Sequence, residues 1–264
     1  MSDTSQWFGQ FNLEPHHTRT WRVGPLSFWV NRAYHEWRLR VETGGDPYSP
    51  SVELDLFEER QADVEDRKVQ RFLVSDESRR LDIGLLLPDR PIVSSPASPV
   101  SIPGGESVRF YLSYPLWVSL SAGDPGRTLT EFASYRLSDT WFGPNTREGM
   151  LCYATRSRCR LNVSDHPYLP YRAITPLVIS NRAKDALPLD RVKLPVSSLS
   201  LYRSRGPGWL WTQDVTLLRQ EGGDMAELQL GRGAPEEADA ADLVAGAREL
   251  SPRNAMVRAF SALF

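Results

Sequence analysis

Apolar and polar residues alternate along most of the chain. In residues 37–41 the apolar side chains alternate with Arg38 and Arg40. Because successive side chains of a strand point to opposite faces, this period of two predicts strands with one buried face. The segments that we predict as further strands on this basis are 81–87, 108–112, 116–120, 159–163, 174–180, 192–196, 199–203, 209–218 and 225–230.

Turn-forming residues separate these segments. The chain has 20 prolines and 18 glycines, in clusters such as residues 43–47 and 102–105. Many short strands separated by such turn segments are typical of antiparallel sheets. A weak repeat of a Pro- and Ser-containing segment followed by a Trp-bearing strand indicates duplication. The sequence therefore predicts an all-β fold of two β-sandwich-like lobes, residues 1–122 and 123–232.

The C-terminal residues 233–264 follow a helical period instead. Their apolar residues fall on one stripe of a helix, and the stripe resumes after Ser251 and Pro252, which suit a helix start. We predict a short helical tail that packs on the sheets. The alternative is an amphipathic tail that docks on a partner or on an anionic membrane surface. The stripe residues are Ala240, Leu243, Val244, Ala247, Leu250, Met256, Val257, Phe260, Leu263 and Phe264.

Composition narrows the classes of function. The 264 residues include 31 Lys and Arg against 33 Asp and Glu, a net charge of -2, which disfavours a uniformly basic nucleic-acid binder. No secretory signal pattern or long apolar run is visible, so we expect a cytoplasmic protein without a transmembrane segment. The two cysteines are expected as free thiols. The four histidines lack metal-ligand spacing, and we predict no metal site and no cofactor.

The charges are segregated along the chain. Residues 42–66 contain nine acidic residues and one basic residue, whereas residues 134–205 contain 12 basic and five acidic residues. Within the basic segment, Arg156, Arg158 and Arg160 alternate, so a strand would place all three guanidinium groups on one face. Such a face suits an anionic ligand or an acidic partner, although a solvated strand face is the plainer interpretation.

The most distinctive segment is residues 137–154, LSDTWFGPNTREGMLCYA. It combines aromatic residues with compact polar groups, which is a mixture typical of ligand clefts, although an ordered inter-strand loop has the same composition. Its candidate binding residues are Asp139, Trp141, Thr146, Arg147, Glu148 and Tyr153.

The same segment resembles the central signature of the archaeal and proteobacterial "domain of unknown function" family numbered four hundred and thirty-two. IPGGESVRFYLSYPLWV, LPVSSLSLYRSRG, LWTQDV and AFSALF resemble further parts of that family, so that the likeness covers nearly the whole chain. The family has no established activity. Since its members are often encoded beside small-conductance mechanosensitive channels, the resemblance implies a cytoplasmic accessory protein, peripheral to the inner membrane.

We therefore expect a non-enzymatic binding or accessory module. Its basic face would recognise an anionic ligand or an acidic partner, and a membrane protein is a candidate partner. The alternative is an enzyme for a small anionic or sugar-like substrate, with Asp139 and Glu148 as acid/base groups. That alternative requires both carboxyl groups in one pocket. Nucleic-acid binding ranks last, and the oligomeric state is left open.

Overall fold

Strands provide nearly all of the regular structure in a computed structural model of the chain. It describes residues 6–57, 68–75, 78–145, 147–155, 158–250 and 254–261. The strands in these ranges are β1 Gly9–Asn12, β2 Thr18–Val23, β3 Leu26–Arg32, β4 Glu36–Thr43, β5 Val52–Phe57, β6 Gln70–Leu73, β7 Arg80–Leu86, β8 Ile92–Ser94, β9 Val100–Ile102, β10 Ser107–Pro115, β11 Trp117–Ala122, β12 Arg127–Ala133, β13 Ser138–Phe142, β14 Met150–Ala154, β15 Arg172–Asn181, β16 Leu187–Leu189, β17 Arg191–Leu194, β18 Leu201–Ser204, β19 Leu210–Thr212, β20 Val215–Arg219, β21 Met225–Leu230, β22 Ala241–Ala245, β23 Asn254–Arg258 and β24 Phe260–Ser261.

Short 3₁₀ turns are the only helical structure in the described ranges, and they lie at Val163–Asp165, Val196–Ser198 and Glu236–Ala238. Within those ranges no helix is long and apolar enough to cross a lipid bilayer. The all-β class predicted from the sequence is therefore confirmed.

The chain divides into two compact units whose segments interleave along the sequence. Unit 1 comprises Met1–Leu86, Leu116–Arg136 and Leu169–Tyr171, and unit 2 comprises the remaining segments, Leu87–Pro115, Leu137–Tyr168 and Arg172–Phe264. Residues 122–126, where the sequence predicts a boundary between consecutive lobes, include the turn between β11 and β12 inside unit 1.

Unit 1 contains two sheets with aromatic contacts between them. One has the order β5-β2-β3-β4-β6 and the other the order β1-β7-β11-β12. Phe11 of β1 lies 5.3 Å from Trp21 of β2, and Phe28 of β3 lies 5.4 Å from Phe132 of β12, between ring centroids. The predicted alternation holds in β7, where Leu81, along with Ile83 and Leu85, is buried.

Unit 2 is built on a sheet of order β22-β18-β19-β15-β20-β21-β23, in which β10 also pairs with β15. All nine residues of β10 pair with β15, which explains why the segment before Leu116 belongs to this unit. A second sheet has the order β13-β14-β8-β17-β24, and β9 pairs with β16. The predicted strands 108–112, 174–180 and 225–230 fall in β10, β15 and β21.

The predicted helical tail is wrong. β22 pairs with β18, β23 with β21 and β24 with β17, so the backbone of the described tail hydrogen-bonds to sheets. Leu243 of the predicted apolar stripe is 62% exposed. Sheet edges that accept another strand have overridden the helical pattern. The predicted helix start at Ser251 and Pro252 lies outside the described residues.

Two predicted strands also need correction. In residues 159–163, only Cys159 and Arg160 form isolated bridges, Leu161 is 56% exposed, and the chain turns into a 3₁₀ segment at Val163. The predicted strand 209–218 is two strands, β19 and β20.

Candidate functional site

Three chain segments converge at one end of the five-stranded sheet in unit 2. β8 and β14 run parallel, so both end there, and β17, which is antiparallel to β8, begins there. The residues that follow β8 and β14 and those that lead into β17 surround an open cavity of about 760 Å³. The topology thus gathers side chains that are almost 100 residues apart in the sequence.

The cavity lining combines guanidinium and hydroxyl groups with an apolar wall. Val93, Pro96, Pro99 and Leu189 are among its apolar residues. Hydroxyl and guanidinium groups are donors that can together hold an oxyanion. The polar residues of the lining include Arg158, Arg191, Ser95, Ser98, Thr140 and Thr155, as well as one carboxylate, Asp190.

Backbone and hydroxyl acceptors orient both arginines. Nη1 of Arg158 donates to the carbonyl oxygen of Ala97 at 2.7 Å. Nη2 of Arg191 donates to Oγ1 of Thr140 and to the carbonyl oxygen of Trp141, each at 3.2 Å. Among the described residues, neither arginine has a carboxylate ion-pair partner. No described carboxylate therefore neutralises their charge. Because a guanidinium has five N–H donors, both side chains also keep N–H groups that can bind a ligand.

Asp139 and Tyr153 form a cluster with their neighbours. They are directly opposite in the β13–β14 hairpin. Oδ1 of Asp139 lies 3.1 Å from Nη1 of Arg90, whose guanidinium lies 5.3 Å from the centroid of the Tyr153 ring. Tyr153 donates its hydroxyl to Asp89 at 3.0 Å. Burial, and then the bond to and charge of Asp89, raise the pKa of Tyr153 to about 12, so the phenol stays protonated.

Asn145 organises the turn between β13 and β14. Its Oδ1 accepts hydrogen bonds from the backbone N–H groups of Arg147 and Glu148, each at 2.8 Å. Its carbonyl oxygen accepts the indole N–H of Trp141, also at 2.8 Å. The predicted candidate Thr146 lies outside the described residues. The role of Asn145 was not predicted from the sequence, although a Pro-Asn pair is a turn signal.

The geometry that the acid/base alternative requires is not found. Asp139 is ion-paired and its side chain is 60% exposed, while Glu148 is an exposed residue of the turn. Neither carboxyl group belongs to the described lining of the cavity.

The predicted arginine face is placed in part. Arg158 and Arg160 are exposed on either side of Cys159, which is 2% exposed, and Arg156 lies outside the described residues. Only Arg158 lines the cavity, where Arg191 joins it from β17. Arg191 counted toward the basic segment in the sequence, but its pairing with Arg158 depends on a sheet register that local patterns do not encode.

The cysteines are free thiols, as predicted, and both are buried. Sγ of Cys159 lies 3.4 Å from Oγ of Ser94, and burial raises the pKa of Cys159 to about 11. Burial also raises the pKa of Cys152. Across the part of the chain that the structure describes, no three His, Cys, Asp or Glu side chains form a potential metal cluster.

Comparison with family models gives one match. The family described as "Protein of unknown function (DUF432)" matches residues 7–264. The comparisons with curated proteins and with solved structures each give no match.

Proposed function

Because the chain belongs to the DUF432 family, whose description assigns no function, we propose its role from its own cavity: the protein is a binding module, and unit 2 binds an oxyanionic ligand between Arg158 and Arg191. The oxyanion is a phosphate or sulfate group, or another anionic group whose oxygens accept hydrogen bonds from guanidinium and hydroxyl groups. Binding, rather than acid/base catalysis, is the role that the donors of this cavity support.

The observation that carries the proposal is the pair of arginines without carboxylate partners in one cavity. Several other guanidinium groups of unit 2 are neutralised by carboxylates, whereas Arg158 and Arg191 have no such partner among the described residues and line the same cavity. The arginines of unit 2 that form ion pairs with carboxylates include Arg90, Arg109, Arg205, Arg219 and Arg258.

Calorimetric titration with sodium sulfate and with inorganic phosphate tests the proposal. Because charge-assisted hydrogen bonds contribute more than neutral ones, Arg158→Gln or Arg191→Gln should each weaken binding by roughly tenfold or more. Arg182→Gln is the matched control, since Arg182 is an exposed arginine of unit 2 outside the cavity lining. Equal affinity in all four proteins, or no binding by the wild type, would contradict the proposal.

The accessory role is part of the same proposal. A cytoplasmic module that binds an anionic ligand or an acidic segment beside a membrane protein would use this cavity as its recognition site. Co-purification from native membranes tests it. We expect a membrane protein to be retained by the wild type and by Arg182→Gln, and lost from Arg158→Gln. Recovery of the wild type without any partner would contradict the accessory role while leaving anion binding intact.

A further inference from the structure

Lysine is rare in this chain, and one of its lysines is buried. Among the 31 Lys and Arg residues, the lysines are Lys68, Lys184 and Lys193. Lys68 and Lys184 are exposed, whereas Lys193 on β17 is only 8% exposed. An arginine stays protonated at physiological pH, but a buried lysine can release its proton and become a nucleophilic amine. Lysine at this buried position therefore offers chemistry that the abundant arginines do not.

No carboxylate of the described residues forms an ion pair with the amine of Lys193. Nζ lies 3.6 Å from Sδ of Met150 and 5.4 Å from the centroid of the Phe142 ring. A thioether and an aromatic ring stabilise an ammonium less than a carboxylate does. Burial lowers the pKa of Lys193, the charge of Arg258 acts in the same direction, and negative charge on Cys152 opposes it. This environment favours the neutral amine more than solvent does.

The register of the five-stranded sheet places Lys193 on the same face as part of the cavity lining. Lys193 pairs directly with Val93 of β8, and Val93 pairs directly with Ala154 of β14. Val93, Ala154 and Arg191 all line the cavity. Because paired residues, and residues two apart in one strand, share a face, Lys193 follows Arg191 on this face.

The side chains of Arg191 and Lys193 both extend to β13. Nη2 of Arg191 donates to Oγ1 of Thr140, and its guanidinium lies 5.6 Å from the centroid of the Phe142 ring, which Nζ of Lys193 also contacts. The two side chains start from positions that are about 7 Å apart along β17. A ligand with a phosphate and a carbonyl group at the two ends of a three-carbon chain can therefore contact both.

Met150 gives the amine a route to solvent. Its Sδ contacts Nζ of Lys193, and the residue is 42% exposed. Methionine is unbranched and has three rotatable bonds, so it changes rotamer readily. A rotamer change of this exposed side chain uncovers Nζ without movement of the sheet.

We propose that Lys193 forms a Schiff base with a small aldehyde whose phosphate group is bound by Arg158 and Arg191. The lone pair of the neutral amine attacks the carbonyl carbon, and a proton moves from nitrogen to oxygen to give a carbinolamine. Loss of the hydroxyl group and the remaining N–H proton as water leaves the C=N bond, so that no oxidant or reductant is needed.

The phosphate gives this reaction its selectivity. Binding of the phosphate by the two arginines holds the carbonyl group beside the amine and raises its effective concentration. The proposal thus rests on the proposed oxyanion site, and it names the class of ligand, a phosphorylated aldehyde.

Reductive trapping with glyceraldehyde 3-phosphate and sodium cyanoborohydride tests the proposal on the full chain. The reductant converts the imine to a stable secondary amine, and peptide mass spectrometry locates that amine. Lys184 is the internal standard, because it is an exposed lysine of unit 2. The ratio of label on Lys193 to label on Lys184 should be roughly tenfold higher with the phosphorylated aldehyde than with glyceraldehyde.

Competition and variants connect the label to the cavity. Sodium sulfate should slow the labelling of Lys193 by the phosphorylated aldehyde more than sodium chloride does at equal ionic strength. Arg158→Gln should remove the preference of Lys193 for the phosphorylated aldehyde. Arg182→Gln is again the matched control and should retain the preference.

The outcomes distinguish this proposal from the proposed function. A wild type that binds sulfate but carries no label on Lys193 would overturn the Schiff base and leave oxyanion binding intact. Equal ratios with the two aldehydes, together with no sulfate binding, would overturn both. Labelling of Lys193 that sulfate does not slow would show that the phosphate is held elsewhere, and this result would also overturn the proposal.

Discussion

Glu36 shows how much one side chain can depend on its partners. It is 5% exposed and lies between Arg38 and Arg71, with Oε2 2.7 Å from Nη2 of Arg71. Burial alone raises the pKa of Glu36, but the hydrogen bonds and charges of Arg71 and Arg38 outweigh it and lower the pKa below its ordinary value. The ionised carboxylate therefore stabilises the folded state at neutral pH.

Glu36→Gln should reduce the free energy of unfolding by about 1–3 kcal/mol at neutral pH, because two guanidinium groups lose a buried partner. Since the folded pKa is lowered, this stabilisation is present above the ordinary pKa and is lost as pH falls through the folded value. Urea unfolding across the acid range measures it, and the two proteins should converge at low pH. Glu42→Gln is the control, because Glu42 pairs with Arg40 on the surface. A constant difference at all pH values would contradict the assignment.

The two cysteines should be unreactive in the folded protein. Thiolates are the reactive form, and burial raises the pKa of both thiols. At about pH 8 we expect neither Cys152 nor Cys159 to react quickly with a chromogenic disulfide reagent, and both to react at once in urea. One rapid equivalent in the native protein would show that a cysteine is accessible and ionised.

At the scale of elements, β22 explains why the tail prediction failed. Leu243 lies on both a helical stripe and an alternating pattern, and local sequence does not distinguish them. The choice is made by β18, whose Tyr202 pairs with Leu243 and whose Leu201 is fully buried. Two kinds of strand were predictable. One is a strand whose partner is adjacent in the chain, as β20 is to β21, and the other is a strand whose buried and less buried residues alternate strictly, as in β7. Strands recruited to distant edges were not.

Paired substitutions test this account of β22. Leu243→Thr should change the free energy of unfolding by less than about 0.5 kcal/mol, because the residue is exposed and threonine suits a strand. Leu201→Ala in β18 should cost about 2–5 kcal/mol, because it leaves a cavity under the same strand pair. Chemical denaturation measures both. A large loss from Leu243→Thr would show that Leu243 packs as the helical prediction assumed.

Gly143 makes the β13–β14 turn possible. A Cβ atom there would lie 2.0 Å from the carbonyl oxygen of Glu148 and 2.6 Å from Cα of Gly149, and neither backbone atom can move freely. Gly143→Ala should therefore destabilise the hairpin by about 1–3 kcal/mol. Faster amide hydrogen exchange in β13 and β14, with the other strands unchanged, is the expected result.

Gly206→Ala is the control for that experiment, since no heavy atom lies within 4 Å of its Cβ position. If both variants exchange alike, the close approach at Gly143 has no energetic consequence.

At the scale of the whole molecule, acidic residues in the described part of segment 42–66 pair with arginines close by. Glu42 pairs with Arg40 at 2.6 Å, and Arg22 pairs with Asp55 at 2.8 Å and with Glu53 at 3.5 Å. The described acidic residues of segment 42–66 that form ion pairs thus neutralise arginines of their own unit.

Only those parts of the candidate site that are formed by residues close together in the sequence were predictable. Arg158 and the 137–154 segment could be singled out from alternation and composition. Within that segment, however, Asp139 and Tyr153 do not line the cavity. Asp139 pairs with Arg90, and the Tyr153 hydroxyl donates to Asp89. Arg191 and Ser98 reach the cavity through the parallel pairing of β8 with β14 and the antiparallel pairing of β8 with β17. Long-range pairing of this kind has no local signature.

The interleaved units give the last prediction. The lining of the cavity lies entirely in unit 2. A ligand that binds only the native cavity stabilises it by mass action, and it slows the opening of segments whose opening exposes that cavity. Hydrogen exchange with and without sodium sulfate should therefore show slower exchange in the segments that follow β8 and β14 and in β17, and unchanged exchange in β2–β5.

Sodium chloride at equal ionic strength controls for screening. Arg158→Gln should abolish the difference, whereas Arg182→Gln should preserve it. Slower exchange spread equally over both units would mean that sulfate acts on the protein by general exclusion rather than through the cavity.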